Sequence, residues 1–426
     1  MTTPATVKTP KARLVFDLLI GLGLRGGGAV ASFVLTWLIA RQFGASVVGQ
    51  YQIGLTTATL AAIVATLGMH LVLVREAGKL INSKDFGDLA ATYKACRKYV
   101  LTAGLVVMAA VISSAIVLAE SVLTDSSTVT YIVIFAPLIV ILAWLRLNSD
   151  MLRSLGDVWK SQSLEGVFYS GLTATILTIL WFSSVTYPPI VIAAVYVGCA
   201  GLALFLTVWI ISGKLTGWKG GTAQIGKTDG ITAVAPAVIM IAVDWTILLI
   251  IGIFLSVSDA GVYRTLVMYA ALIQMVTSSF AIMASPHLSK ARASNDRAQF
   301  FSALNSASFL GLALASPAVL AAIFIPDVIL GLFGPEFVRG SEAIGILAVA
   351  QLVGVAAGPA APAMIMLHRE KPVLYIEIIA SVGSIPLAYF LVQHLGLLGP
   401  PIAVLAASIV RGVYTRWALS HAWKAT

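Results

Sequence analysis

Residues 24–54 read LRGGGAVASFVLTWLIARQFGASVVGQYQIG and contain most of an apolar stretch, 14–40, that is long enough to cross a lipid bilayer. A membrane-spanning helix needs about 20 predominantly apolar residues. The stretch ends before Arg41, and a Gly-x-Tyr motif at Gly49 and Tyr51 follows it. Similar apolar segments recur along the whole chain, so the bilayer is predicted to be the solvent for most of the molecule.

The composition supports an integral membrane protein. Of the 426 residues, 59% are hydrophobic and 11% are charged, with a mean hydropathy of +0.96. Soluble domains carry about 25% charged residues. The net charge of +9 does not indicate nucleic acid as a partner, because the basic residues lie in short gaps between apolar stretches. Cys96 and Cys199 have no metal-ligand spacing, and no metal site is predicted.

Twelve segments are predicted to cross the membrane as helices. They are 14–40, 48–74, 99–119, 128–149, 161–182, 188–212, 231–256, 262–285, 302–325, 341–366, 373–394 and 397–420. With a cytoplasmic N-terminus, most of the 27 lysines and arginines fall on the cytoplasmic side, as the positive-inside rule requires. Arg41, Arg264 and Arg339 are assigned to outer loops. Both termini are therefore predicted to be cytoplasmic.

An internal repeat divides the chain. A shift by close to half the chain length superposes several features, namely Ser46 on Ser258, Gly49 on Gly261, Tyr51 on Tyr263 and Glu165 on Glu377. Six helices per half give both copies the same orientation in the membrane. The predicted organisation is an N-terminal lobe (1–212), a cytoplasmic linker (213–230) and a C-terminal lobe (231–426), with a central cavity between the two lobes.

Four stretches resemble one family of transporters. The segment 24–54 resembles the first helix and loop of polysaccharide flippases. The segments AVDWTILLIIGIFLSVSDAGVYRTL (242–266), LFGPEFVRGSEAIGILA (332–348) and GLLGPPIAVLAASIVRGVY (396–414) resemble their seventh helix, their ninth-to-tenth connection and their last helix. The family is the lipid-linked oligosaccharide flippase branch of the multidrug/oligosaccharidyl-lipid/polysaccharide (MOP) exporter superfamily.

The resemblance carries expectations about fold and function. It implies a fold like that of the multidrug and toxic compound extrusion (MATE) transporters and a cavity open to one side at a time. It also implies movement of an undecaprenyl-diphosphate-linked oligosaccharide across the bacterial inner membrane, for synthesis of surface polysaccharide. The expected partners are that lipid-linked oligosaccharide, membrane lipids and other polysaccharide-assembly membrane proteins. No cofactor is expected beyond H⁺ or Na⁺ coupling.

Charged residues within the apolar spans are the candidate substrate site. A charge near the bilayer centre costs about 2.5–3.5 kcal/mol on insertion scales, so such residues usually face a cavity or a partner. Arg25 either contacts a diphosphate or acidic sugar or pairs with an acid. Asp244 is either its partner or a site of ion coupling. Arg146 either faces the cavity or extends to the lipid headgroups.

Two glutamates and two basic residues complete the candidate sites. Glu165 and Glu377 are either ion-coupling groups or structural partners of nearby cations such as Lys160 and Lys371. Arg75 and Lys79 follow the second span. They either hold lipid phosphates or only set the topology of the chain in the membrane.

Three other functions compete with a flippase. A membrane-embedded polysaccharide polymerase or ligase needs catalytic groups on a large outer loop, and the sequence has no such loop, so an enzyme is not predicted. A multidrug or small-molecule exporter of the same superfamily is the main alternative, and it favours an acidic, aromatic cavity. A major-facilitator carrier would have a G-x-x-x-D-R-x-G-R loop after the second helix, whereas this loop reads REAGKLINSKDFGD (75–88).

Overall fold

The structure is a computed structural model that describes residues 11–119, 126–218, 220–223, 227–294, 296–367 and 369–422. All regular secondary structure in these residues is helical, and they contain no strand. In lipid a backbone must satisfy its own hydrogen bonds, which a helix does within one segment. The predicted all-α membrane fold is confirmed.

The helices follow one another through short connections. In chain order they are α1 (Lys11–Ala65), α2 (Met69–Ser83), α3 (Phe86–Ala119), α4 (Ser126–Phe135), α5 (Pro137–Ser154), α6 (Val158–Gln162), α7 (Phe168–Phe182), α8 (Ile190–Leu215), α9 (Lys227–Phe254), α10 (Val257–Ala293), α11 (Arg297–Phe324), α12 (Pro326–Gly331), α13 (Ser341–Ala357), α14 (Ala360–Met366), α15 (Glu370–Leu395) and α16 (Gly399–Ala422). A π-helix, Ser163–Val167, joins α6 to α7, and 3₁₀ turns occupy Pro335–Gly340 and Gly396–Leu398.

These helices match the twelve predicted crossings. Within the described ranges, nine helical spans are long and apolar enough to cross a membrane. Two of them, Gly26–Ala65 with 40 residues and Lys371–Ala422 with 52, are too long for one crossing. The first divides at Gly44, whose φ of 79° breaks the helix, and the second at the turn Gly396–Leu398. The 37-residue α10 supplies the remaining crossing.

Proline affects the helices differently at different places. Between α13 and α14, Gly358 has a φ of 65° and Pro359 follows it, so the helix breaks there. Pro236 and Pro317 lie inside α9 and α11, which continue through them.

The break between α13 and α14 is held by one arginine from α16. Arg416 donates from Nη2 to the Ala356 carbonyl and to Ser308 Oγ, each at 3.0 Å, and from Nη1 to Asn305 Oδ1 at 2.9 Å. The Ala356 carbonyl belongs to the last turn of α13, where no helical N–H is left to bond it. This guanidinium therefore fixes the bend.

Contacts group the chain into two compact units that cut across the linear halves. Unit 1 comprises Met1–Leu35, Ala61–Val111 and Ala136–Val234, whereas unit 2 comprises Thr36–Leu60, Ile112–Phe135 and Ala235–Thr426. The predicted lobes, 1–212 and 231–426, and the linker 213–230 stay a prediction.

Each unit has its own interior. In unit 1, a buried polar chain links three helices: Tyr93 Oη donates to Asn148 Oδ1 at 2.7 Å, and Asn148 Nδ2 donates to Thr207 Oγ1 at 3.0 Å. In unit 2, an apolar cluster around Phe300 and Leu419 packs α10, α11, α14 and α16 together. Interhelical hydrogen bonds and close packing are what hold helices together in lipid.

Candidate functional site

Unit 1 contains a polar pocket with a volume of about 530 Å³, which we call the N pocket. Six α-helices and the π-helix contribute to its wall. The lining residues are Gly28, Ala29, Ser32, His70, Leu71, Val74, Arg146, Asp150, Arg153, Gln162, Glu165, Gly166, Tyr169, Ser170 and Tyr196. The pocket thus brings together Arg146 and Glu165, two of the residues predicted to act in transport.

Ion pairs tie the charged groups of the N pocket together. Arg153 lies 2.9 Å from Asp150 Oδ1 through Nη1 and 3.3 Å from Glu165 Oε2 through Nη2. Asp150 is nearly buried, with 7% of its side chain exposed. Buried charges are tolerated when they are paired. Two arginines and two carboxylates therefore balance within the pocket.

Arg146 is the least engaged member of this network. Its Nε lies 3.9 Å from Glu165 Oε1, which is too long for a hydrogen bond. Its side chain is 40% exposed, and its terminal nitrogens make no hydrogen bond with any residue in the described ranges. A guanidinium in this state can still donate a fork of N–H groups to an anion.

Glu165 owes its position to an irregular stretch of helix. It lies on the π-helix Ser163–Val167, and a π-turn widens the helix and shifts the side chains that follow. A Cβ at Gly28 would lie 3.6–3.8 Å from the backbone of Gly166, so α1 packs closely on this turn. The carboxylate consequently projects toward both pocket arginines.

Two polar atoms in the wall of the N pocket have no hydrogen-bond partner among the described residues. The His70 imidazole is 5% exposed, and its Nδ1 has no hydrogen-bond partner among the described residues. Gln162 Oε1 is in the same state. The rings of Tyr169 and Tyr196 meet edge to face, with centroids 5.4 Å apart. Unmatched polar atoms next to a cavity are positions where a polar ligand gains hydrogen bonds.

Unit 2 contains a second polar pocket of about 300 Å³, which we call the C pocket. Its wall includes the broken segment between α13 and α14. The polar lining residues are Gln274, Gln351, Glu377, Ser408, Arg411 and Thr415, and small residues such as Gly354, Gly358 and Gly412 complete the wall. Arg411 Nη1 donates to Glu377 Oε2 at 3.1 Å.

The two pockets occupy equivalent places in the internal repeat. With the shift that superposes Gly49 on Gly261, three lining positions of the N pocket correspond to three of the C pocket. These are Arg146 to Gly358, Glu165 to Glu377, and Tyr196 to Ser408. Glutamate is present in both halves. The arginine and the tyrosine of the first half are replaced by Gly358 and Ser408 in the second.

Both repeated glutamates are paired, but not with the cations named from the sequence. Glu165 pairs with Arg146 and Arg153, and Glu377 pairs with Arg411. Lys160 instead lies 3.6 Å from Asp157. The structural interpretation of the glutamates thus gains support, while their role in ion coupling stays a prediction.

The remaining membrane charges are placed as follows. The side chain of Arg25 lies outside the described part of the structure. Asp244 is an exposed residue of α9 and forms no ion pair with a described cation; Arg264 and Arg411 are the cations that act on it electrostatically. The pairing of Arg25 with Asp244 stays a prediction.

Arg75 and Lys79 share one buried carboxylate in α2. Arg75 Nε and Lys79 Nζ lie 3.1 Å and 3.0 Å from Glu76 Oε1. Although burial by itself raises the pKa of Glu76, hydrogen bonds from Lys79 and Arg75 hold that pKa below its usual value. Contact of these two cations with lipid phosphate stays a prediction.

Sequence reasoning missed several residues of the N pocket. Asp150, Tyr169 and Tyr196 were not singled out, and Arg153 was counted only as a cytoplasmic charge. One signal was present, because Asn148, Ser149 and Asp150 form a polar run at the end of an apolar span. Tyr196 gave no such signal, since a tyrosine in an apolar helix is common at membrane interfaces.

Known proteins give two kinds of match. No protein-family model matches the sequence. The probable low-salt glycan biosynthesis flippase Agl15 of Haloferax volcanii is 27% identical over 174 residues, which is 40% of this chain and 36% of that protein. The chain therefore spans about a third of the length of the curated relative that it matches.

Solved structures match along nearly the whole chain. An inward-facing MATE family transporter of the MOP superfamily has a TM-score of 0.72 at 14% identity, covering 94% of this chain and 96% of that one. A MATE protein in complex with MaL6 has a TM-score of 0.65 at 14% identity, covering 97% and 96%. A MOP superfamily transporter from Pyrococcus furiosus, described as having a binding pocket of reverse polarity, has a TM-score of 0.64 at 12% identity, covering 97% and 95%.

The fold and its neighbours define the class of protein. The chain is a multi-pass membrane protein with the fold of the MOP superfamily transporters, and the predicted MATE-like architecture is confirmed. These relatives are transporters rather than enzymes. The curated relative that matches part of the chain is described as a probable low-salt glycan biosynthesis flippase.

Proposed function

We propose that this transporter flips an undecaprenyl-diphosphate-linked oligosaccharide from the inner to the outer leaflet of the bacterial inner membrane by alternating access. The observation that carries the proposal is Arg146, a guanidinium whose terminal nitrogens make no hydrogen bond with a described residue, in a polar pocket of about 530 Å³. The likeness to a glycan biosynthesis flippase supports the same substrate class.

The N pocket offers what an anionic, hydroxyl-rich headgroup needs. The Arg146 fork can bind two oxygens of a phosphate or carboxylate. Arg153 is held by Asp150 and Glu165, so it contributes positive potential without having to move. His70 and Gln162 supply polar atoms suited to sugar hydroxyls.

The coupling of transport to an ion belongs to the same proposal. Asp244 is the described membrane carboxylate that is best placed to bind H⁺ or Na⁺, because it has no ion pair with a described cation. Glu165 and Glu377 would first have to leave their arginines. We also propose that both termini are cytoplasmic and that the protein works beside other polysaccharide-assembly membrane proteins.

A multidrug exporter is the second candidate, and one observation favours it. The solved structures that match over nearly the whole chain include MATE family transporters. Such an exporter would take up lipophilic cations, which carboxylates attract and Arg146 repels. The two functions therefore predict opposite consequences of removing Arg146.

Reconstituted vesicles provide the test. Arg146→Ala is expected to slow the flipping of a lipid-diphosphate oligosaccharide about tenfold to hundredfold, because a hydrogen bond to a charged group is worth about 1.5–3 kcal/mol. Arg97→Ala is the matched control, since Arg97 stacks on Trp144 with its guanidinium 5.9 Å from the ring and does not line the pocket. Unchanged flipping in Arg146→Ala, or faster export of a lipophilic cation, would overturn the flippase proposal.

A further inference from the structure

The repeated Gly-x-Tyr motifs meet each other in unit 2. A Cβ added at Gly49 would overlap the carbonyl oxygen of Val257, and a Cβ added at Gly261 would overlap the carbonyl oxygen of Ala45. The shift that superposes Gly49 on Gly261 also superposes Ala45 on Val257. The two contacts are therefore the same contact made twice, once from each half of the repeat.

The next equivalent pair of residues bonds directly. Arg264 Nε donates to Gln52 Oε1 at 3.2 Å, across a separation of 212 residues that equals the repeat shift. Gln52 in turn donates from Nε2 to Thr36 Oγ1 at 3.3 Å. Two residues related by a two-fold axis can touch directly only near that axis. The bond consequently marks the axis of the repeat within unit 2.

Arg264 lies in a helix rather than in the outer loop assigned to it from the charge pattern. Ser256 caps α10, since its Oγ accepts from the Asp259 backbone N–H at 3.0 Å. The helix therefore begins before Arg264, and the loop assignment is wrong.

Water is excluded from the contact. Ala45, Val48, Ala260 and Val262 are completely buried, and Gln52 is 4% exposed. Glycine lets two helix backbones approach closely, and Cα–H···O contacts of this kind contribute about 0.5–1 kcal/mol each. The two backbones pack closely because their shapes match. Few strong bonds therefore have to break when they separate.

The ends of the contact are anchored to neighbouring segments. Glu336 Oε2 accepts from the Ala45 N–H at 3.1 Å, directly after the break at Gly44. Arg339 Nη1 lies 3.2 Å from Asp259 Oδ1 at the start of α10. Both sides of the contact are thus oriented by the 3₁₀ turn Pro335–Gly340.

We propose that residues 45–52 and 257–264 form a two-fold clasp that closes the predicted outer side of the transporter, and that substrate leaves when the clasp separates. The inference rests on the proposed transport function but not on the identity of the cargo. Glycine is required at both equivalent positions, because a methyl group there pushes the two backbones apart. Opening displaces both halves of the repeat equally, since each half contributes the same contact.

Accessibility of a reporter cysteine tests the clasp. In a background in which both native cysteines are changed to alanine (Cys96→Ala and Cys199→Ala), Val48→Cys places a thiol in the buried seal. We expect a membrane-impermeant maleimide, added from the predicted outer side, to label this thiol slowly. Adding Gly49→Ala and Gly261→Ala is expected to raise the labelling rate at least about tenfold, because the two methyl groups destabilise the closed state.

A matched glycine and an opposing substitution serve as controls. A Cβ at Gly383 has no atom within 4 Å, so Gly383→Ala brings the same gain in helix propensity without a clash and should leave labelling unchanged. Gln52→Glu gives Arg264 a charged acceptor and is expected to slow labelling further. Gln52→Leu removes the acceptor and is expected to speed it.

The possible outcomes distinguish a failure of the clasp proposal from a failure of the proposed cargo. Equal labelling in the Gly49→Ala/Gly261→Ala protein and in the Gly383→Ala protein overturns the clasp, even if lipid-linked oligosaccharide is flipped normally. The clasp is also overturned if Gln52→Glu and Gln52→Leu shift labelling in the same direction. Labelling that responds as expected while no oligosaccharide moves supports the clasp and counts against the proposed cargo.

Discussion

The internal repeat is symmetric at the clasp and asymmetric at the two polar pockets. In the clasp, equivalent residues make equivalent contacts: Gly49 and Gly261 each meet a backbone carbonyl of the other half. In the pockets, equivalent positions hold different residues, with Arg146 in one half and Gly358 in the other. A contact on the two-fold axis must satisfy both halves at once, whereas a pocket within one half is free to change alone.

This difference distinguishes the clasp, which is proposed to open and close, from the N pocket, which is proposed to select the cargo. Two halves that must part and meet again need matching surfaces, and glycine supplies them through shape alone. The proposed selection of an anionic cargo needs a positively charged group in one defined place, and in the N pocket that group is Arg146, which lies 3.9 Å from Glu165. In the C pocket, Arg411 already bonds to Glu377, so little charge is left for a ligand there.

The largest expected effect comes from neutralising the two pockets separately. Arg146→Gln should lower lipid-diphosphate oligosaccharide flipping at least about tenfold, since it removes charge-assisted hydrogen bonds. The paired change Arg411→Gln/Glu377→Gln removes one cation together with its own carboxylate, and we expect it to lower flipping less than about threefold. Flipping measured in the same vesicles, with equal losses in both variants, would show that the pockets are equivalent.

Exchanging the two bonded residues of the clasp is the next test. Gln52→Arg alone places two guanidinium groups face to face, so labelling of the Val48→Cys reporter should rise. Adding Arg264→Gln restores a donor and an acceptor with the sequence positions exchanged, and labelling should return toward its original rate. A coupling of about 0.5–3 kcal/mol is typical of residues in direct contact. Additive effects of the two changes would mean that the 3.2 Å bond does not hold the clasp closed.

A moderate loss of stability is expected where one arginine fixes the wall of the C pocket. Arg416→Ala leaves the Ala356 carbonyl and Ser308 without their donor, which costs about 1.5–3 kcal/mol for bonds to a charged group. Thermal unfolding in detergent should shift down by several degrees. Arg416→Lys keeps the charge but not the fork, and its melting temperature should lie between those of the other two proteins. A melting temperature equal to that of the parent protein in both variants would mean that the bend holds itself.

The smallest effect is expected in α2, which belongs to neither region. The folded protein holds the Glu76 pKa below its usual value, so this carboxylate stabilises the fold above about pH 4.3 and loses that effect as pH falls through its folded value. Glu76→Gln should therefore melt at a lower temperature than the parent protein at pH 7, by a small margin because Lys79 is 65% exposed. Melting curves from pH 7 down to about 3.5 should converge. A gap that widens on acidification would contradict this sign.

Much of the fold could be predicted from the sequence. The twelve apolar segments largely coincide with observed helices, and the division at Gly44 falls between the first two of them. Hydropathy reports membrane crossing reliably, because each segment meets the same solvent wherever its neighbours lie.

The candidate site was predictable only in part. Arg146 and Glu165 are predicted as site residues because they are charged residues within spans, and the structure brings them into one pocket. One of the two alternatives for Glu377 is pairing with a cation near it in sequence such as Lys371, yet its partner Arg411 is 34 residues away. Partners across helices depend on which faces pack together, and the spacing along one chain segment does not contain that information.

The amino-acid sequence by itself determined that the chain crosses the membrane, that its second half repeats features of the first, and which few charges the lipid-spanning segments carry. Tertiary structure alone decided that Gly49 and Gly261 make equivalent contacts, that Gln52 bonds Arg264, and that Arg146 lies in a pocket beside Glu165. The physical reason is the separation in sequence of the residues involved. Burial in lipid acts on each segment by itself, whereas contacts between distant segments exist only once the helices have packed.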